Sequence, residues 1–261
     1  DLGTEEDVMV NMLGLAPTKS EGAGTAYDVM TQAWVKQYVN VAYALGFIIT
    51  KEAKDDNKYF KAMERGIQGL MFAFDQTKEN VHANVLNRGF NSSYTGGDAK
   101  ELLATDHPTL AGNMQNELTV AADLSEASLE DLTILINKAQ DNRGNRIAIM
   151  PKCLVVPPEL MYEATRIVYS TLQNDTANNA VNAVNFMGIF PEGVKTNNYL
   201  TDADAWFVVT NAPRGLMSMN RVARQFSKDL DFDTDNEKFK MYERYVPGWT
   251  DWRGVYGSPG A

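Results

Sequence analysis

The chain of 261 residues has one cysteine, Cys153, and two histidines, His82 and His107. A single cysteine excludes an intrachain disulfide and a cysteine-based zinc cluster within one chain. Neither histidine has a second one at metal-ligand spacing, so a histidine metal site would need distant carboxylates, and a surface or capping role is expected for both. There is no apolar run of 18 residues and no signal-peptide pattern at the start, which reads as a soluble, unexported chain with no membrane contact. The chain opens on Asp1 rather than Met, which fits either a trimmed chain or removal of a leader. A Gly-x-x-x-x-Gly-Lys-Ser/Thr phosphate loop and a Gly-x-Ser-x-Gly nucleophile elbow are both missing. Positive charge is scarce: 24 Lys and Arg against 34 Asp and Glu give a formal charge of −10 and a sequence pI near 4.8. Such a surface has no broad basic footprint for nucleic acid, so tight DNA binding is disfavoured.

What is present is apolar material in two distinct periods. With 44% hydrophobic residues the chain can bury a sizeable core, as one elongated domain or two smaller ones. Its 12 methionines read as ordinary core filler or adaptable contact surface. Residues 8–13 and 33–43 are rich in β-branched and aromatic side chains and flank the turn-rich segment 16–24, so they are expected to be the arms of a long extended loop. Such a loop has little core of its own and needs a neighbour to hold it. From 56 to 86 the period changes, and Phe60, Met63, Ile67, Leu70, Phe74 and Val81 mark one long amphipathic helix. Residues 102–104 and His107-Pro108 read as short strand and loop. A helix over 128–140 follows a capping region at Ser125 to Ser128. A buried strand is expected over 147–156, with Cys153 as a structural thiol rather than a nucleophile. A second helix, 159–170, is opened by Pro157-Pro158. The polar, asparagine-rich stretch 171–185 reads as a mobile loop. Strands are expected at 194–197, 205–210, 216–224 and 239–246. In the last of these, Phe239, Met241, Glu243 and Tyr245 alternate with Lys240, Tyr242, Arg244 and Val246, giving each face a defined set of side chains.

Three groups of residues invite a chemical reading. Asp229, Asp231, Asp233 and Asp235 resemble the start of a calcium loop, but Thr234 stands where the turn needs glycine and Lys240 where the bidentate glutamate belongs. Solvation or pairing with Arg221, Arg224 and Arg244 is favoured over a metal. Asp202 and Asp204 could serve as general acid and base, yet a turn before the following strand explains them better. Arg214, Arg221, Arg224, Arg244 and Arg253 are spread over the C-terminal strands, where bidentate pairs with carboxylates across an interface compete with isolated, solvated guanidinium groups.

The segments 154–158 (LVVPP), 202–206 (DADAW) and 242–261, set in a chain that matches from about residue 39 onward, resemble the major capsid proteins of tailed bacteriophages, in the Mu-like major head subunit branch of the Hong Kong 97-type fold. The first 38 residues carry the resemblance least. It implies an α+β fold with five parts: an N-terminal arm remnant and extended loop over 1–50, spine helix and peripheral domain over 51–118, axial domain over 119–215, peripheral return strands over 216–248, and a C-terminal strand over 249–261. It implies a structural subunit of an icosahedral shell around double-stranded phage DNA, built of pentamers and hexamers, part of the virion and assembled in the host cytoplasm. Portal and scaffolding or decoration proteins are the implied partners, with packaged DNA in weak non-specific contact. No catalytic, cofactor-binding or metal-ligating residue is implied. The candidate subunit-interface residues are Pro17, Lys19, Glu21, Trp34, Asp231, Asp233 and Arg244, with Lys19 a free surface lysine rather than a crosslinking one. Two other classes stay open: an encapsulin-like nanocompartment, which shares the shell but encloses cargo, and a soluble metal-dependent hydrolase built on the aspartate cluster.

Overall fold

The computed structural model describes residues 3–56, 59–173 and 180–261. In chain order its elements are β1 (Thr4–Asn11), β2 (Thr31–Val39), β3 (Val41–Ile49), α1 (Lys51–Asp55), α2 (Tyr59–Asn87), β4 (His107–Thr109), β5 (Gly112–Met114), α3 (Glu126–Asn137), β6 (Pro151–Val156), α4 (Met161–Tyr169), α5 (Ala183–Phe186), β7 (Val194–Thr196), β8 (Trp206–Thr210), β9 (Leu216–Leu230), β10 (Glu237–Trp249) and β11 (Val255–Ser258). Two compact units emerge. One holds Asp1–Glu5, Tyr38–His82 and Ser218–Gly248; the other holds Glu6–Gln37, Ala83–Met217 and Trp249–Ala261.

The first unit is a three-stranded sheet of order β3-β10-β9 with the long helix α2 on one face. β10 runs antiparallel to β3, from Glu237 opposite Ile49 to Tyr245 opposite Val41. Successive side chains of a strand point to opposite faces. Accordingly Glu237, Phe239, Met241, Glu243 and Tyr245 are buried while Lys238 and Lys240 are exposed. Leu70 and Phe74 of α2 pack on Met241, Tyr43 and Phe47. Phe47 stacks on Phe239 with ring centroids 4.8 Å apart, and Tyr43 on Tyr245 at 4.7 Å. The helix approaches closely at Gly66, where a Cβ would fall 2.5 Å from the Phe47 ring. The expected apolar stripe is thus covered at its centre. Phe60 at its start is 70% exposed, because the sheet-facing contacts concentrate at Leu70 and Phe74.

The second unit is built on a four-stranded sheet of order β11-β8-β6-β7. β8 is antiparallel to both β11 and β6, and β7 is parallel to β6. A parallel pair needs a crossover, supplied by the 3-10 turn Pro158–Leu160, α4 and α5. α3 begins at a capping box in which Ser125 and Ser128 satisfy each other's backbone N–H. Leu129, Leu132 and Ile136 of α3 join Leu154, Val156, Ile167, Trp206, Val208 and Tyr256 in one core. Phe207, the neighbour of Trp206, enters a second cluster with Leu86, Leu102, Leu103, Trp249 and Val255. β8 is therefore buried on both faces, which explains its unbroken run of apolar residues. At one point two backbones touch: a Cβ on Gly254 would lie 2.3 Å from Gly215 Cα.

A buried polar node lies in this unit. His107 is fully buried, with Nδ1 2.6 Å from Asp98 Oδ2 and Nε2 3.0 Å from Asn116 Oδ1. Its ring lies flat on Trp252, centroids 4.3 Å apart. Asn116 Nδ2 donates to the carbonyls of Leu102, Trp252 and Val255, and its Oδ1 also accepts from the Ala104 N–H. His107 is thus neither the surface nor the capping residue expected from sequence.

Other boundaries differ from expectation for local reasons. Residues 102–104 are buried but form no strand, since their backbone pairs with Gly89 and Asn116 instead of a neighbouring strand. The strand expected from 147 starts at Pro151, where Ile147 N–H has already turned back to Ala139 O. The helix expected from 159 starts as the 3-10 turn. β9 and β10 run longer than expected, because they pair with each other out to the tip. The stretch 51–118 is divided after His82, as Leu86, Leu102 and Leu103 pack on Phe207 and Val255. Of the loop expected over 171–185, residues 174–179 lie outside the described residues, as do 57 and 58 at the expected start of the long helix; Leu172 bridges Val181, and α5 follows.

Two substitutions test this packing. Phe74→Asp places a carboxylate on the buried centre of α2 and is expected to abolish soluble, folded protein, since an unpaired buried charge costs several kcal/mol, about the margin of a domain; soluble expression and circular dichroism check this. Asn116→Ala removes the partner of three carbonyls, a histidine and an amide. It is expected to lower unfolding free energy by about 3 kcal/mol, against less than ~0.5 kcal/mol for exposed Asn220→Ala, in denaturant titrations.

Candidate assembly surfaces

β1 and β2 pair as a two-stranded ribbon, and residues 12–30 between them form an arm almost wholly exposed. Leu15 is 81% exposed and Tyr27 93%, and Met12, Leu13, Val29 and Met30 are also open to solvent. A run of uncovered apolar side chains of this size marks an interaction surface. Pro17, Lys19 and Glu21 sit on it, all exposed. At its neck Asp28 Oδ2 accepts from the Gly14 N–H and Oδ1 from the Val29 N–H, both at 2.8 Å. Arg143 Nη1 lies 2.5 Å from Asp28 Oδ2. The two backbone N–H groups, with Arg143 beside them, hold the Asp28 carboxyl below the usual carboxylate range. Trp34 is placed differently: it is buried, its Nε1 donates to Thr250 O at 2.9 Å, and Gly97 packs on its ring. Its indole is engaged inside its own chain.

The second surface is the tip between β9 and β10. Only Asp229 lies in a strand; Asp231 precedes the turn over 232–234, Asp233 lies in it and Asp235 comes after it with φ 53°. The alternate aspartates therefore share no strand face. Asp231 accepts from Lys238 Nζ at 2.7 Å and Thr234 Oγ1 at 3.0 Å, and Asp235 pairs with Lys51 at 2.6 Å. Within the chain lysines, rather than the arginines, face Asp231 and Asp235. Arg221 is 3.9 Å from Glu5, and Arg224 reaches Asp75 at 2.8 Å and Glu243 at 3.5 Å. Phe232 at this tip is 93% exposed. Arg244 is half-buried, opposite Ala42 in the sheet register, so the structure groups Asp231 with Asp233 and leaves Arg244 toward the other end of β10.

Sequence reasoning did not identify which charges are buried. Glu243 is buried on the apolar face of β10 and bridged by Arg224; its place in the Phe239, Met241, Tyr245 alternation was the available signal. Arg253 is 2% exposed and pairs with Asp251 at 3.1 Å, and a guanidinium between Trp252 and Gly254 was the hint. Cys153 is buried, which pushes its thiol pKa up. Asp204 N–H donates to Asp202 Oδ1, the turn expected before β8. His82 contacts Lys78 O and Ser218 Oγ. Among the described residues no group of three His, Cys, Asp or Glu is placed to hold a metal, and no helix is long and apolar enough to cross a membrane.

Residues 34–258 match the phage capsid protein family. No curated protein matches the sequence. Among solved structures the chain is similar to the capsid of Ralstonia phage GP4, at 11% identity and TM-score 0.59 over 95% of this chain and 79% of that one. It is similar to the mature capsid of bacteriophage PhiM1, at 11% identity and TM-score 0.55 over 98% and 81%. A virus-like particle from Pyrococcus furiosus gives 13% identity and TM-score 0.55 over 98% and 86%. These likenesses show the Hong Kong 97-type capsid fold. The family match runs from within β2 to the end of β11, so the chain belongs to the phage capsid protein family, as a structural major capsid protein.

Proposed function

We propose that copies of this subunit join as pentamers and hexamers into an icosahedral shell around a double-stranded phage genome. The observation that carries this is the arm, whose exposed Leu15, Tyr27, Val29 and Met30 have no core of their own. A segment that fixes its backbone without burying surface gains stability when a neighbouring copy covers it. Pro17, Lys19 and Glu21 would contact that neighbour from the arm, Asp231 and Asp233 from the tip between β9 and β10, and Arg244 from β10. Trp34 would support the arm from inside the chain. The formal charge of −10 keeps contact with packaged DNA weak and non-specific. No residue is assigned a catalytic role.

Finer assignments follow the same reading. Membership of the Mu-like branch rests on residues 154–158, 202–206 and 242–261. Assembly in the host cytoplasm, with portal and scaffolding or decoration partners, is part of the proposal; the solved capsid of bacteriophage JBD30, 14% identical over 76% of this chain, is decorated with minor capsid protein trimers. A cargo-enclosing, encapsulin-like compartment is the second reading, favoured by the likeness to the Pyrococcus furiosus particle. The family match over 34–258 favours the phage shell.

Sedimentation and negative-stain imaging of the purified chain are expected to give closed shells or capsomers, and a lone species near the 29.0 kDa subunit mass under all assembly conditions would refute this. Nucleic-acid content of particles made in a phage-infected host separates the two readings. Removing residues 17–24 is expected to leave circular dichroism unchanged and to lower the disassembly temperature of the shell, because the segment adds intersubunit area and no intrachain core.

A further inference from the structure

The arm is joined to the interior of the second unit by a chain of buried polar side chains. Arg253 sits at its inner end, with Nε donating to Gln140 O at 2.8 Å, Nη1 to Asp251 Oδ1 at 3.1 Å and Nη2 to Asn142 Oδ1 at 2.7 Å. Asn142 Nδ2 donates onward to Asn11 Oδ1 at 2.8 Å, and Asn11 Nδ2 to Thr31 Oγ1 at 3.0 Å. Asn11 ends β1 and Thr31 begins β2, so this last contact ties the two sides of the arm where it leaves the ribbon. Arg253, Asn142 and Asn11 are all more than nine-tenths buried.

The next residue makes the second attachment. Arg143 places Nη1 on Asp28 and Nη2 on Val29 O at 2.7 Å, while its buried Nε has no partner among the described residues. Both terminal nitrogens thus serve the arm even though a buried donor is left unmet, which is costly for a buried polar group. The loop that carries Arg143 is fixed independently of the arm. Asp141 Oδ1 accepts from the N–H groups of Arg143 and Asn145, each at 2.8 Å, and Gly144 takes φ 88° to close the turn. A third attachment comes from Arg214, whose Nη1 donates to Val8 O at 2.8 Å and lies 3.5 Å from Asp7.

We propose that the loop 141–145 is a preformed socket for the neck of the arm, with Asn142 and Arg143 as positioning residues that set the direction in which residues 15–27 project and so the uniformity of the shell. This rests on the reading that the arm reaches a neighbouring copy. One attachment would leave the ribbon free to pivot. Attachments at Val8, Asn11 and Asp28 fix its orientation, while residues 15–27 beyond them stay exposed. Groups locked by buried hydrogen bonds hold a contacting element more exactly than an unsupported loop can. Asn142 gives the socket a link to an ion pair that cannot shift without exposing a buried charge.

The test uses the full chain, before and after assembly. Arg143→Gln keeps the fold, because the half-buried side chain bonds to the arm alone, and Asn11→Ala cuts the first attachment without touching Arg143. In unassembled subunits both are expected to speed hydrogen exchange of the Gly14 and Val29 amides about tenfold with the exchange of α3 and β6 unchanged. In assembled samples both are expected to broaden the distribution of particle diameters, with Arg143→Lys in between. Unchanged exchange at Gly14 and Val29 overturns the socket. Faster exchange with particles as uniform as those of the unaltered chain overturns its role in assembly. The exchange measurement does not need a shell, so failure of the unaltered chain to form particles counts against the shell reading alone.

Discussion

A guanidinium enclosed by protein has to be satisfied on all sides, and much of the second unit is arranged around one. Arg253 is met by a backbone carbonyl, a carboxylate, an amide oxygen and the face of Trp252, whose ring centroid lies 4.3 Å away. Breaking such a pair by removing one partner costs about 3–5 kcal/mol, although replacing the whole set by apolar residues can be neutral. The network therefore serves geometry more than stability. Asp251 also caps the turn Trp252–Gly254 through the Arg253 N–H, which sets Trp252 under His107. Asn142 hands the same constraint to the arm. A side chain near the end of the sequence thereby fixes the loop between α3 and β6 and a ribbon near its beginning.

The first unit solves a similar problem with a different set of charges. Its sheet buries Glu243 between Met241 and Tyr245, where an unpaired carboxylate would not be tolerated. Arg224 answers from β9 and extends to Asp75 on α2, and its guanidinium lies over the Phe74 ring. One side chain thus links two strands and the helix. Glu237 at the far end of β10 is held in the same way by Lys54 and Lys228, each at 2.8 Å. The edges of the apolar face are closed by charge pairs, and the stacked Phe47–Phe239 and Tyr43–Tyr245 rings fill the space between them.

What could be read in the sequence was whatever has a period. The two-residue alternation of Phe239 to Tyr245 and the helical spacing of Ile67, Leu70 and Phe74 both follow from backbone geometry, which repeats identically along an element. The ribbon that carries the arm was legible from two apolar runs around a turn-rich stretch. The polar nodes were not. Asn116 touches residues near 102, 107 and 253, and Asn142 joins 11 to 253; no local pattern encodes partners so far apart. His107 was misjudged for that reason, since its neighbours in sequence give no sign of Trp252 beneath it. The pairing of the acidic tip with Lys51 and Lys238 rather than arginines was hidden similarly, because the turn at Asp235 redirects the aspartates away from a common face.

Where Gly215 and Gly254 meet, two main chains lie in contact without side chains between them. The gap is set by van der Waals radii and not by a deformable side chain, so it has no slack to give. Either glycine replaced by alanine would push the two backbone segments at this point apart, and the other could not yield. In an object assembled from many copies, a displacement of that kind is not averaged away. Symmetry repeats it with the same sign at each equivalent position, and a small error in one subunit accumulates as a change in curvature of the whole. The contact acts as a spacer gauge, and in a shell of such subunits its tolerance would become a tolerance on the radius.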